Sequence, residues 1–122
     1  MSYVIEKQRR LIVTTGDGIV TFSEIRAHQN RLLSDPDFDA GFDQLIDVTN
    51  VEKFDMTGDE ARTIAERPIV SPNSKRAFVA TKPSIYGFGR LMAVYHESYA
   101  QVQIFYDFNS ALKWLGVDVI VM

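Results

Sequence analysis

The sequence predicts a single α/β domain, spanning residues 1–122, in which helices connect the strands of a mostly parallel sheet. Strand-like and helix-like segments alternate along the 122 residues. Helices placed between successive strands imply right-handed crossovers to parallel neighbours. The chain is long enough to bury one sizeable core and too short for two. The predicted element order is ββαβαβαβα.

The strands are predicted from short runs rich in β-branched and aromatic residues. Residues 3–7 and 11–15 lie on either side of a polar turn and are expected to form an opening hairpin. Further strands are predicted at residues 45–48, 77–81 and 102–106. The hairpin would supply the antiparallel edge of the sheet.

Four helices are predicted from apolar spacing and from their start and stop signals, at residues 22–34, 58–66, 84–99 and 109–115. Thr21 and Glu24 have the spacing of a capping box at the start of the first. Gly116 closes the last, as glycine commonly does at a helix C-terminus.

Composition excludes several classes of protein. The 13 basic and 16 acidic side chains give a net charge of -3, and no long basic run is present, so a nucleic-acid partner is not expected. No apolar segment reaches the roughly 18 residues of a membrane span. The absence of cysteine excludes disulfides, and charges near the N-terminus argue against a signal peptide. We expect a cytoplasmic protein.

Thr57 is the residue most informative about function. It follows a predicted strand and Asp55, precedes Gly58, and has Glu60 three positions later, which is the spacing of a capping box. A helix N-terminus also favours a phosphate, because its N–H groups are unpaired and carry a partial positive charge. Thr57 is therefore either a structural cap, worth about 1 kcal/mol, or a phospho-acceptor.

Three short segments and the order of elements carry a resemblance to a known family. The segments are Leu45-Ile46-Asp47-Val48, Phe54-Asp55-Met56-Thr57-Gly58, and the pattern from Phe105-Tyr106-Asp107 to Ala111-Leu112-Lys113-Trp114-Leu115. On these segments the chain resembles the SpoIIAA-like, STAS-related family over nearly its whole length. The resemblance implies a STAS-type α/β fold and a regulatory role.

The resemblance also suggests a role for Thr57. Anti-anti-sigma proteins of the wider STAS group carry an Asp-Ser-Ser-Gly-like segment whose second hydroxyl residue is phosphorylated by a partner kinase. Thr57 matches that residue, with Asp55 and Gly58 at the flanking positions and Met56 in place of a serine. The family is also likened to CRAL-TRIO lipid-binding domains, which implies a second kind of function.

Apolar and aromatic side chains recur at helical spacing from Ile85 onward. Most of this stripe, widened by Leu91 and Val94, is predicted to be core. Its surplus aromatic surface would contact a second subunit or line a small apolar cavity, through Tyr86, Phe88, Met92, Tyr95 and Tyr99.

The candidate catalytic residues form no recognisable constellation. His28 is predicted to lie on a helix surface, and His96 to make a favourable contact with a helix C-terminus. Without cysteine or ligand spacing, the sequence predicts neither a metal nor a cofactor. We therefore do not expect an enzyme.

Two functions follow from these observations. The first is a non-catalytic regulatory domain that binds a protein partner, a kinase or regulator, and is switched by phosphorylation of Thr57. Exposed aromatic residues would favour a homodimer. The alternative is a binder of a small apolar or lipid-like ligand, held between the helix of residues 85–99 and the sheet.

Overall fold

The computed structural model describes residues 1–67, 69–96 and 101–117. Across these residues the elements follow the predicted order ββαβαβαβα: β1 (Ser2–Glu6), β2 (Leu11–Thr21), α1 (Phe22–Ser34), β3 (Asp43–Asp55), α2 (Gly58–Ala65), β4 (Lys75–Val79), α3 (Pro83–His96), β5 (Gln101–Phe105) and α4 (Phe108–Leu115). The sequence-based prediction of element types is confirmed. The predicted helical residues 97–99 lie outside the described ranges.

The strands lie in the sheet in chain order, β1-β2-β3-β4-β5. β1 is antiparallel to β2, and Ser2 lies opposite Thr15. The other pairs are parallel: Leu45 lies opposite Ala77, and Phe78 opposite Ile104. The sheet is therefore mixed and mostly parallel, with the antiparallel hairpin at one edge, as predicted.

β2 and β3 are far longer than predicted, with 11 and 13 residues. Of the residues of β3, only 44–47 pair with β4, so beyond that point β2 and β3 continue as a two-stranded ribbon of residues 17–21 and 50–55. Glycine and aspartate disfavour strands, which is why the prediction ended β2 at Thr15. Register shifts after Thr15 and Gly18 accommodate these residues within the pairing.

Side chains alternate between the two faces of the sheet, which have different cores. Helices α1, α2 and α3 pack on one face, and α4 packs on the other. The first core contains Val20, Ile46, Val48, Val51, Phe78, Ala80 and Ile85. The second contains Leu11, Leu45, Ala77, Val79, Ala111 and Leu115.

The helix ends use local caps, with one difference from the prediction. Thr21 Oγ1 accepts from the backbone N–H of Glu24 at 3.2 Å, but the Glu24 carboxylate accepts from the amino group of Met1 at 2.9 Å. The α1 capping box is therefore not reciprocal. Gly116 closes α4 with a φ of 72°, the left-handed conformation that glycine adopts at little cost.

Part of the apolar stripe predicted from Ile85 onward is buried on helix α3, as expected. Ile85 and Met92 are 3% and 4% exposed. A Cβ on Gly89 would lie 3.0 Å from Ile104 Cγ1, so this glycine allows α3 to approach β5 closely. Leu91 and Val94 are 39% and 62% exposed, and the expectation that they widen the core stripe is wrong. Within the described residues, no helix has the length and apolarity needed to cross a membrane.

Candidate functional site

A cavity of about 50 Å³ lies between the sheet and the three helices on its first face. Its walls are predominantly apolar, and its residues come from every surrounding element. Its apolar lining includes Ile25 and Leu32 from α1, Ile46, Val48 and Phe54 from β3, Ile64 from α2, Phe78 from β4, and Phe88 and Met92 from α3. The cavity lies between α3 and the sheet, where a small apolar or lipid-like ligand was predicted to bind.

Polar side chains from four elements line the same cavity. Thr14 lies on β2, His28 on α1, and Gln44 and Arg76 on β3 and β4. Gln44 and Arg76 are register partners in the parallel pair, so both side chains point to the same face. All four residues are buried, with exposures between 1% for Thr14 and 7% for Arg76. The cavity therefore combines apolar walls with a buried polar cluster.

The polar cluster is a continuous chain of hydrogen bonds. Arg76 Nε donates to Gln44 Oε1 at 3.1 Å, and Gln44 Nε2 donates to Thr14 Oγ1 at 2.7 Å. Thr14 Oγ1 lies 3.2 Å from His28 Nε2. His28 Nδ1 is buried and has no partner among the described residues. Since buried polar atoms are normally paired, this nitrogen requires an explanation.

His28 is buried, and the prediction that it lies on a helix surface is wrong. It is 4% exposed, and its ring packs edge-on against Tyr3 with centroids 5.6 Å apart. Burial lowers the pKa of His28 to about 4, assisted by the positive charges of Arg31, the amino terminus and Arg76. His28 is therefore a neutral imidazole at neutral pH.

Arg76 carries a positive charge into the interior. Burial lowers the pKa of its guanidinium to about 10, which still leaves it protonated at neutral pH. A guanidinium only donates hydrogen bonds. Arg76 therefore brings a buried positive charge to the polar cluster, and in its hydrogen bond with Gln44 it is the donor.

Thr57 lies outside the cavity, at the N-cap of α2. Its backbone N–H donates to Glu60 Oε1 at 2.9 Å, and its Oγ1 accepts from the N–H of Glu60 at 3.1 Å. The predicted capping box is confirmed. Gly58 opens the helix, and the Asp55 carboxylate lies 3.8 Å from Lys53 Nζ. The three predicted site residues thus share one exposed corner because they are close in sequence.

The β2–β3 ribbon connects this corner to the cavity. Phe54 lines the cavity and stacks on Phe88, with ring centroids 4.0 Å apart and planes within 11°. Met56 packs into the cluster formed by α2 and α3, and Thr57 follows it at the surface. Phe54 in the cavity wall and Thr57 at the corner are therefore three residues apart along the chain.

The residues predicted to bind an apolar ligand or a second subunit lie in different parts of the structure. Phe88 and Met92 line the cavity. Tyr86 instead stacks on Tyr106, with centroids 4.2 Å apart, and Tyr95 packs against α2. Tyr99 lies outside the described residues.

Sequence reasoning missed the polar cluster of Thr14, His28, Gln44 and Arg76. The signal in the sequence was a polar residue within each strand: Gln44 stands beside Leu45 in β3, and Arg76 stands beside Ala77 in β4. Side chains alternate between the two faces of a strand, but this alternation does not show which helices will cover each face. No group of three or more metal-ligating side chains occurs within the described part of the chain.

The chain was compared with known proteins in three ways. No protein-family model matches it, and no curated protein matches it in sequence. It is similar to a solved structure from Shewanella loihica PV-4, described as an uncharacterized protein from the DUF3478 family with a SpoIIAA-like fold. The similarity covers 93% of this chain and 92% of that chain, with a TM-score of 0.66 and 15% identity. The chain thus has the SpoIIAA-like fold that its sequence resemblance predicted.

Proposed function

We propose that this protein is a non-catalytic binding domain that holds a small, largely apolar molecule in the cavity beneath α1, α2 and α3. One observation carries the proposal: an apolar cavity lined in part by His28, whose buried Nδ1 has no partner among the described residues. Apolar walls with a few convergent polar groups and a shifted pKa are typical of small-molecule sites.

The volume of the cavity limits the ligand. At about 50 Å³, it has about one third of the volume of an engineered protein cavity of about 150 Å³ that binds benzene. A long lipid chain would fit only if α3 moved away from the sheet. The proposal is therefore a compact molecule of a few non-hydrogen atoms.

Mass spectrometry of the protein from its own host tests the proposal. Native spectra should show an adduct that is released on unfolding and is then identified as a small molecule. Val48→Ile, which adds one methylene to the cavity wall, should lower the bound fraction. Val4→Ile, at a residue 61% exposed, is the matched control and should retain it. A bare chain under several growth conditions would reject the proposal.

The second candidate function is a protein-interaction surface switched at Thr57. It is supported by an exposed capping hydroxyl with Asp55, Asp59 and Glu60 close by in the sequence. A phosphate on Thr57 would repel these carboxylates, displace the Glu60 side chain from the Thr57 N–H, and change the corner around residues 51–59. The partner would be a protein that reads this corner.

Phosphopeptide analysis and pull-down experiments test the switch. We expect a phosphate on Thr57 in native cells, and a changed set of captured proteins for Thr57→Glu. Thr63→Glu is the control, because Thr63 is exposed on the same helix but its hydroxyl donates to the Asp59 carbonyl rather than capping the helix. Identical capture by wild type and Thr57→Glu would contradict this function. The proposed homodimer is tested separately by sedimentation equilibrium.

A further inference from the structure

β5 is the last strand of the sheet, and its outer edge pairs with no other strand among the described residues. The N–H of Gln101 donates at 3.1 Å to the backbone carbonyl of Ser74, at the start of β4, so Gln101 and every second residue after it face β4. Because backbone groups alternate in direction along a strand, those of Val102 and Ile104 face away from β4. Two N–H and two C=O groups are therefore directed outward at the β5 edge.

The sequence of β5 does not protect this edge. Exposed edge strands are commonly blunted by charged side chains, by proline or by a bulge. The five residues of β5 are Gln-Val-Gln-Ile-Phe, with neither a charge nor a proline, and their register with β4 is continuous. The β5 edge is therefore suited to pairing with another extended chain.

A groove of about 280 Å³ lies beside the β5 edge, between β5 and α3. Its α3 side includes Tyr86, Arg90 and Val94, which are four positions apart and so lie along one face of the helix, about 6 Å from one to the next. Val94 is 62% exposed, and Tyr86 stacks on Tyr106, which is 60% exposed. The groove thus has apolar side chains at both ends and a guanidinium between them.

The charge of Arg90 is not compensated within the described part of the chain. Arg90 is exposed, and its guanidinium makes no hydrogen bond, ion pair or ring contact with another described residue. Side chains on one face of an extended chain repeat about every 6.6 Å, which is close to the helical spacing of Tyr86, Arg90 and Val94. An extended segment with apolar, acidic and apolar residues at alternate positions therefore matches the groove in both spacing and charge.

We propose that the β5 edge and this groove bind an extended segment of another protein by β-strand addition, with an acidic side chain at Arg90 and apolar side chains at Tyr86 and Val94. Main-chain hydrogen bonds to Val102 and Ile104 supply the affinity, and the groove supplies the selectivity. This surface is separate from the cavity and from the Thr57 corner, so the inference does not depend on the proposed function.

The position of Arg90 favours a different protein over a second copy of this chain. A symmetric antiparallel pair of β5 strands would be centred near Gln103, the middle residue of the strand. Gly89 closely approaches Ile104, and Arg90 lines the groove together with Gln103 and Ile104, so Arg90 lies near that centre. Two guanidinium groups would then approach each other across the symmetry axis. Like charges placed opposite each other disfavour such a pair.

Amide hydrogen exchange with a synthetic peptide tests the backbone pairing. The probe is acetyl-Thr-Val-Thr-Glu-Thr-Val-Thr-amide, which has the proposed alternation. It should slow exchange at Val102 and Ile104 saturably and leave Gln101 and Gln103, whose amides face β4, nearly unchanged. Only alternate N–H groups of a bound strand can face β5. N-methylation of the valines and glutamate, or of the two inner threonines, should therefore abolish binding in one case and retain it in the other. Equal binding of the two methylated peptides would overturn the proposal.

Reversal of the charge at Arg90 tests the side-chain recognition. Arg90→Glu should weaken binding of the glutamate peptide by about fivefold or more, because an attractive pair becomes a repulsive one. The variant should instead prefer the same peptide with lysine in place of glutamate. Lys7→Glu makes the same charge change after β1, at the opposite edge of the sheet, where Lys7 forms an exposed ion pair with Asp37, and should bind like wild type. Equal affinity of the wild type for both peptides would rule out an acidic partner.

The free protein reveals any other occupant of the β5 edge. The amides of Val102 and Ile104 should exchange readily at every protein concentration. Protection that increases with concentration, together with a dimer in sedimentation equilibrium, would identify a second copy. Protection that is lost when residues 118–122 are removed would identify that segment of the same chain. Either result, or a wild-type protein that does not bind the glutamate peptide, overturns the proposal, and circular dichroism confirms that each variant is folded.

Discussion

His28 on α1 lies with its Nε2 3.2 Å from Oγ1 of Thr14 on β2. Both residues are buried, so this contact joins a helix to the sheet through polar atoms inside a mostly apolar layer. It also determines the orientation of an imidazole that would have been expected at the surface. The stability of the fold is therefore linked to the protonation of one side chain.

Stability should fall as the pH decreases from about 6.5 to about 4 because of His28. The pKa of His28 is 6.5 when unfolded and about 4 when folded. Between these values the unfolded state binds more protons, so the free energy of unfolding decreases as the pH falls. The difference corresponds to about 3 kcal/mol. Urea unfolding across this pH range measures it.

His28→Gln provides the comparison for this pH dependence, since glutamine does not titrate. The variant should have a flatter pH profile between neutral pH and pH 4.5, whatever its stability at neutral pH. Carboxylate titrations contribute equally to both proteins and cancel in the difference. Parallel profiles for wild type and His28→Gln would show that His28 is not buried in its neutral form.

Loss of the Thr57 hydroxyl should weaken α2. Thr57→Ala removes the acceptor for the Glu60 N–H and should lower the free energy of unfolding by about 1 kcal/mol. Thr57→Ser keeps the acceptor and should have nearly wild-type stability. Thermal and urea unfolding of the three proteins measure the effect. If the alanine and serine variants are equally stable, the capping box contributes nothing.

The two glycines of α3 should respond differently to alanine. Gly87→Ala places a methyl group in open space and should stabilise the helix by up to about 1 kcal/mol. Gly89→Ala brings a methyl group to 3.0 Å from Ile104 Cγ1 and should be less stable than Gly87→Ala. The difference should disappear in an Ile104→Ala background, as a double-mutant cycle would show. Equal effects at both glycines would contradict the close contact between α3 and β5.

Truncation of Met92 should be costly, whereas truncation of its neighbour should not. Met92 is 4% exposed and packs against Ile64 and Ala65 of α2, so Met92→Ala should cost about 2–5 kcal/mol. Leu91 is 39% exposed, and Leu91→Ala should change stability by only about 0.5 kcal/mol. Chemical unfolding of both variants compares the two faces of the same helix. Similar losses would mean that α3 is rotated relative to the sheet.

Local interactions explain the parts of the fold that could be predicted. The start of α1 and the capping box of α2 depend on residues three positions apart, and Gly116 ends α4 through its own backbone conformation. The extent of β2 was missed because Gly16, Asp17 and Gly18 disfavour strands in isolation, and the second half of β3 was missed because it contains asparagine, aspartate, glutamate and lysine, which are also depleted in strands. Only pairing with residues distant in sequence keeps them extended.

The residues of the candidate site also divide into those predictable from local patterns and those brought together by long-range contacts. Thr57 could be found because a capping box is a local pattern, whereas the polar chain from Arg76 to His28 joins side chains separated by up to 32 positions within a single contact. A polar residue in a strand or helix is exposed by default, because burial without partners is unfavourable. Its partners become visible only after the elements have packed.

The sequence alone determined the element types, their order, the mixed sheet and the caps at Thr21, Thr57 and Gly116, because apolar period and capping depend on neighbouring residues. The tertiary structure decided which polar side chains were buried, how far β2 and β3 extend, and where the cavity lies. These features depend on strand register and helix docking, in which long-range burial and hydrogen bonding outweigh the preferences of single residues.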